Sequence, residues 1–296
     1  MKSRFSALAA AAVLAATSFL VVTPPAAEAD HSWGKYHWAR TSNEFKLQLG
    51  DNLTTTEWKR VLGVASSYTP PLGIPDRRDW NESTVLDTLI ITGQDKPCRN
   101  GTTGRVEVCN ARYGWNGWLG VAQIWASGDH ITKATVKVND TYFNTSTYNQ
   151  TWWRHFVMCQ EVGHTFGLVH QDEVMNNVNR GSCMDYTNDP TGSSAGYGGL
   201  NNESPNQHDY DQLVSIYDTG HLGGAVDTTS TVGGSTASTP GRGMSEEAGD
   251  GPPDWGRPIR TDNEGRAILY RKDFGGDRHL LTWVRSVHPN DRPGRP

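Results

Sequence analysis

Apolar and polar residues alternate along Phe45-Lys46-Leu47-Gln48-Leu49, as they do in a strand with one buried face. Over residues 54–67 the spacing changes. Trp58, Val61, Leu62 and Ala65 recur at helical intervals and threonines ahead of them can cap, which predicts an amphipathic helix. Residues 85–91 read as a buried strand, and residues 118–125 and 134–139 as two more, separated by the turn Ser127-Gly128-Asp129. A long helix is expected over 148–166, with Trp152, Trp153, Phe156 and Val157 as core contacts. Another is expected over 205–218, with Tyr210, Leu213, Ile216 and Tyr217 turned inward and His208 on the surface. Strands alternating with helices in this way build a mixed sheet backed by helices.

The two ends of the chain have different patterns. Lys2 and Arg4 precede an apolar run over 7–22, and Ala27-Glu28-Ala29 offers a small-residue cleavage site, so residues 1–29 read as a secretory signal peptide with Asp30 as the first mature residue. That run is short and alanine-rich for a membrane anchor, and no later segment is apolar enough to span a bilayer. A secreted, extracellular protein with no membrane contact in its mature form is expected. After His221 the composition turns to Gly, Thr, Ser and Pro, giving a flexible linker over 222–255. In the tail, 256–296, alternating stretches at 267–270 and 279–284 flank Gly275-Gly276 and suggest a hairpin. Roughly forty residues make a poor independent core, so this β-rich tail should dock on the 30–221 unit or on a partner.

Composition narrows the function only a little. With 27 Lys and Arg against 32 Asp and Glu, the formal net charge is −5. That balance argues against a nucleic-acid partner. A monomer is expected. Four cysteines in a secreted chain fit two disulfides, and local spacing favours Cys98 with Cys109 and Cys159 with Cys183. The first would close a short polar loop over 99–108. The second would join the start of one motif to that of another, described next. The rival reading of Cys159 as a thiolate metal ligand suffers from its position, five residues before His164 and off that residue's helical face.

The chemistry lies in Gln160-Glu161-Val162-Gly163-His164-Thr165-Phe166-Gly167-Leu168-Val169-His170. On a helix, residues 160 and 164 share a face and can point at one ion. Gly167 can end the helix in a left-handed turn that brings His170 back as a third ligand. Zinc held by three protein groups keeps a position for water and lowers its pKa to about 7, and Glu161 is placed to act as the base.

These residues resemble the metzincin zinc endopeptidases, whose pattern is H-E-x-x-H-x-x-G-x-x-H followed by a methionine turn. Ser182-Cys183-Met184-Asp185-Tyr186 is similar to that turn in the Met-x-Tyr form of the astacin-like and serralysin-like branches. The resemblance spans about 30–221, but its specific motifs occupy only 160–170 and 184–186. It implies an α+β protease domain with a mixed twisted sheet, a long metal-binding helix and a Met-turn. It also implies zinc as cofactor, Met184 as an apolar floor beneath the ion, Tyr186 reaching toward the reacting carbonyl, and residues 118–125 as the edge strand along which a peptide substrate lies.

Position 160 departs from the pattern. An amide oxygen is a poorer zinc donor than imidazole nitrogen, so three outcomes stay open: Gln160 ligates weakly, another group or water fills its place, or the site is a relic. No cysteine lies between Asp30 and Lys96, so a cysteine-switch propeptide like that of the matrix proteases is absent, and latency needs another device or does not exist. The expected function is a secreted zinc-dependent endopeptidase acting on peptides or proteins. The alternative is a catalytically weak or inactive protease fold serving as an extracellular peptide- or surface-binding module.

Overall fold

The computed structural model describes residues 31–66, 79–194, 199–217 and 246–291. The expected signal peptide and most of the expected linker lie outside the described residues. The fold is α+β, a mixed sheet backed by helices. Its strands are β1 (His37–Trp38), β2 (Phe45–Asp51), β3 (Leu86–Thr92), β4 (Arg105–Ala111), β5 (Trp118–Ser127), β6 (His130–Asn139), β7 (Arg257–Thr261), β8 (Ala267–Gly275) and β9 (Arg278–Ser286). They form one sheet in the order β3-β2-β4-β6-β5-β9-β8-β7, with β1 paired to β6. β3, β2, β4 and β6 run parallel. From β6 onward every pairing is antiparallel.

Helix α1 (Thr56–Ala65) forms where the pattern places it. The Thr55 side chain accepts from Trp58 N, and Trp58, Val61, Leu62 and Ala65 are buried. A short helix α2 (Asp140–Phe143) leads to α3 (Thr151–His164), almost wholly buried beyond its first turn. Helix α4 (Gln207–Ile216) starts with a capping box between Asn206 and Asp209. A last turn, α5 (Pro252–Trp255), precedes β7. The main core holds the inner face of the sheet, α1 and α3, and includes Leu281 and Trp283 of β9. On the opposite face Trp118 and Val121 of β5 pack with Val284 and Trp255, and Trp125 packs with Ala248 and Leu280.

Three expectations change. The last four residues of the expected polar loop between the first cysteine pair belong to the strand β4, buried at six of its seven positions. Its polar side chains escape a pattern search because they are satisfied internally. Glu107 accepts from Asn52 Nδ2 (2.6 Å) and Gln94 N (3.0 Å) and pairs with Arg105 (2.7 Å). Residues 85–91 are only half buried, because β3 closes the end of the sheet. The most consequential change concerns 118–125. β5 is not an edge strand, since β9 pairs antiparallel along its free side, with Ala122 opposite Trp283 and Gly120 opposite Arg285. The expected C-terminal hairpin exists as β8 and β9, and it extends the sheet. Residues 246–255, the end of the expected linker, are packed against it: buried Lys137 of β6 donates to Ala248 O (2.9 Å), Gly249 O (3.3 Å) and Asp250 Oδ1 (2.8 Å).

Candidate metal centre

Helix α3 ends at His164, and the chain then turns at Gly167, whose φ is +95°. That left-handed conformation favours glycine, and a Cβ there would also collide with the Tyr36 carbonyl. N-terminal residues fix the segment beyond the turn. Trp33 N donates to Gly167 O (2.6 Å) and Val169 N to His31 O (2.8 Å), while Gln171 N donates to Met184 O (2.7 Å). His170 is thereby brought back against His164. The disulfides join Cys98 to Cys109 and Cys159 to Cys183, the pairs that local spacing favours. The second ties α3 to the turn carrying Met184, whose Sδ lies against Gly163 of the helix.

The two histidines converge. Their Nε2 atoms are 3.1 Å apart. The Nδ1 of His164 lies 2.8 Å from the Leu168 carbonyl, which can only accept, so Nδ1 carries the proton and Nε2 of the neutral ring is bare. Burial pushes the His164 pKa down to about 3 and that of His170 well below the usual imidazole value, helped there by the neighbouring His164. Both rings are therefore neutral, the form in which imidazole binds metals. Two nitrogens on one tetrahedral zinc sit about 3.3 Å apart, close to the separation found.

Glu161 follows Gln160 on α3 and rests on β5 at Gly120, where an added Cβ would lie 2.7 Å from its Cγ. Burial raises its pKa well above the ordinary carboxylate range, against the pull of the Arg285 guanidinium and the Ala122 backbone. The Tyr186 ring lies 4.9 Å from that of His170. Gln160 has a more specific place than a failed ligand would need. Its Nε2 donates to Cys183 O (2.8 Å) and Asp185 O (3.0 Å), bridging α3 to the Met184 turn. Only its Oε1, buried without a hydrogen-bond partner, is left free to meet a cation. The residues thus offer two imidazole nitrogens that fit a metal.

Two residues of β9, far along the chain, pack against the motif. Trp283 stacks on His164 (4.8 Å between centroids, 8° between planes) and meets His170 edge-on at 5.0 Å. Arg285 lies over Tyr186 at 4.6 Å and donates to the Thr187 carbonyl. With these in place His164 is 1% exposed, His170 4% and Glu161 0%. A cavity of about 300 Å³ borders Ser32, His37, Asp129 and Gln212, and no motif residue lines it. Contact between Trp283 and the motif crosses most of the chain, and no local spacing could reveal it.

A second group of ligand types lies nearby in the fold. Ligand atoms of His31, His208 and Asp209 fall within 4.8 Å of one another and could hold a metal. His31 Nδ1 faces the Val169 carbonyl (3.0 Å), and its Nε2 is 3.4 Å from Asp209 Oδ1. Asp209 is also structural, accepting from Ser182 Oγ (2.6 Å) and Gln171 Nε2 (2.8 Å). His208, expected on the surface, is half-buried and stacks on His31.

No family model and no curated protein matches the chain. Among solved structures it is similar to myroilysin, with a TM-score of 0.35 and 12% identity, covering 64% of this chain and 84% of that one. Among the described residues no helix is long and apolar enough to cross a membrane, and two disulfides are compatible with an oxidising, extracellular setting.

Proposed function

We propose that the chain is a secreted zinc-dependent endopeptidase of metzincin type, carried out of the cell by residues 1–29. The observation that carries this reading is the convergence of two neutral imidazoles at 3.1 Å beside Glu161, Tyr186 and the Met184 turn. His164 and His170 would hold the ion, with Gln160 Oε1 as the weak third donor. Bound zinc supplies Lewis acidity to the peptide carbonyl and makes a nearby water acidic. The chain's own residues do the rest. Glu161 takes a proton from water on its carboxylate and returns it to the leaving amine. Tyr186 presents its hydroxyl to the carbonyl oxygen as charge develops. Met184 and the Cys159–Cys183 bridge hold the ligand helix against its floor.

Metal analysis of the mature protein, together with a peptide-hydrolysis assay, tests the reading. Zinc should be present at one per site formed by His164 and His170, and Glu161→Gln should abolish hydrolysis while zinc content stays nearly unchanged. An unaltered rate would remove Glu161 from the chemistry. A folded protein that binds no supplied zinc would favour the second reading, a peptide- or surface-binding protein on an inactive fold. The bridging amide of Gln160 is the observation on its side.

A further inference from the structure

We propose that strand β9 is an internal inhibitor, a segment of the chain lying where an extended peptide would lie on β5, so that the folded protein is latent until the C-terminal hairpin is displaced. The inference rests on the hydrolase reading above. A hydrolase must admit water and a peptide, yet His164, His170, Glu161 and Tyr186 are all buried. The element that closes the site over them is β9. It runs antiparallel to β5 over Trp118–Ser127 and satisfies the backbone groups that a bound strand would use. Its side chains complete the closure: Trp283 lies flat on His164, and Arg285, opposite Gly120, brings a guanidinium beside Glu161 and Tyr186.

Leu281 and Trp283 of β9 join the main core, but the strand is poorly matched where it meets the motif. On β9 itself two buried polar atoms that face the motif have no hydrogen-bond partner, Trp283 Nε1 and Arg285 Nε. Native folds seldom leave buried polar groups unsatisfied, and such a pair marks a place held together by its surroundings. Displacing β9 would remove the ring and the charge and open the β5 backbone in one movement. The chain has no cysteine before Cys98 to act as a thiol switch, and β9 provides a different means of latency.

The test uses the full chain with zinc supplied. Trp283→Ala should raise peptide hydrolysis at least tenfold and expose His164 and His170 to diethyl pyrocarbonate, read by peptide mapping. Gln123 and Thr282 are cross-strand partners whose side chains meet at 3.3 Å. The oxidised double variant Gln123→Cys/Thr282→Cys should lock β9 in place and hold hydrolysis at or below the parental rate, also when combined with Trp283→Ala. Circular dichroism checks each fold, and the staple removes no core ring, so it remains informative if Trp283→Ala unfolds. A stapled protein that hydrolyses as fast as the unlocked Trp283→Ala chain would overturn inhibition and leave the hydrolase reading standing. Histidines exposed by Trp283→Ala, with zinc bound but no hydrolysis, would overturn the hydrolase reading and inhibition together.

Discussion

A histidine at position 160 would offer a single ring N–H to the two carbonyls, Cys183 and Asp185, that the Gln160 amide now satisfies together. Gln160→His should therefore strand one buried carbonyl and lower stability by about 1–3 kcal/mol, while tightening zinc by at least about tenfold. Gln160→Ala should lower both stability and affinity. Denaturant melts and competition against a chelator separate the two effects, and equal zinc affinity in all three proteins would place residue 160 away from the ion. The motif was legible because its geometry is local, four residues along one helix and a glycine turn. Glu107 was not, because its partners come from three other segments. Burial alone would raise its pKa, but hydrogen bonds from Thr102, Asn52 and the Gln94 amide, with the charge of Arg105, outweigh burial and hold it below the ordinary value. Its stabilisation is present above the unfolded carboxylate pKa of about 4.3 and is lost as pH falls through the lower folded value. Glu107→Gln should flatten that acid slope and cost about 3 kcal/mol at neutral pH, with Arg105 left buried without its counter-charge. An unchanged slope in the melts below about pH 4.3 would assign the acid sensitivity elsewhere.

At the scale of elements, α3 is anchored to the Met184 turn twice, by the Cys159–Cys183 bridge and by the Gln160 amide, and Trp80 holds it from a separate segment, its Nε1 donating to Cys159 O (3.1 Å). Cys98–Cys109 sits on β4, apart from this junction. Replacing either pair by alanine should lower stability by about 3 kcal/mol in the chain-entropy picture. Only loss of Cys159–Cys183 should also weaken zinc binding, because it frees the ligand helix from its floor. Equal zinc affinity in the two double variants would reduce that clamp to a general staple. Helices α1 and α4 could be read from the sequence because each has a cap and a buried face, α3 because the motif spacing lies on it, β2 and β6 because of their apolar alternation, and β5 because of its nearly unbroken apolar run. β4 was missed for a physical reason: a strand buried on both faces with paired polar residues has no wet side to betray its period.

Across the whole molecule, the sheet joins a parallel half, β3, β2, β4 and β6, to an antiparallel half, β5, β9, β8 and β7. Alternation around Gly275-Gly276 announced the hairpin but could not say where it docks, since pairing of β9 with β5 depends on contacts made only after the chain has folded back. Lys137 is the tie most open to test. It is buried in β6, outside the candidate site, and its three bonds to residues 248–250 pin the segment that packs behind β9. Lys137→Met keeps most of the volume but leaves the Ala248 carbonyl without its donor, while Gly249 O keeps Trp255 Nε1 (2.9 Å) and Asp250, partly exposed, can turn to water. The loss should be about 1–3 kcal/mol, concentrated in residues 246–286. Amide hydrogen exchange in that range should quicken relative to β2 and β4. If β9 is the inhibitor, peptide hydrolysis should rise in step, by about tenfold for each 1.4 kcal/mol of selective opening, although no residue touching the metal ligands has changed. Exchange that quickens equally through every strand would show that the two halves open as one unit, and a hairpin bound so tightly to the rest could not serve as a removable inhibitor.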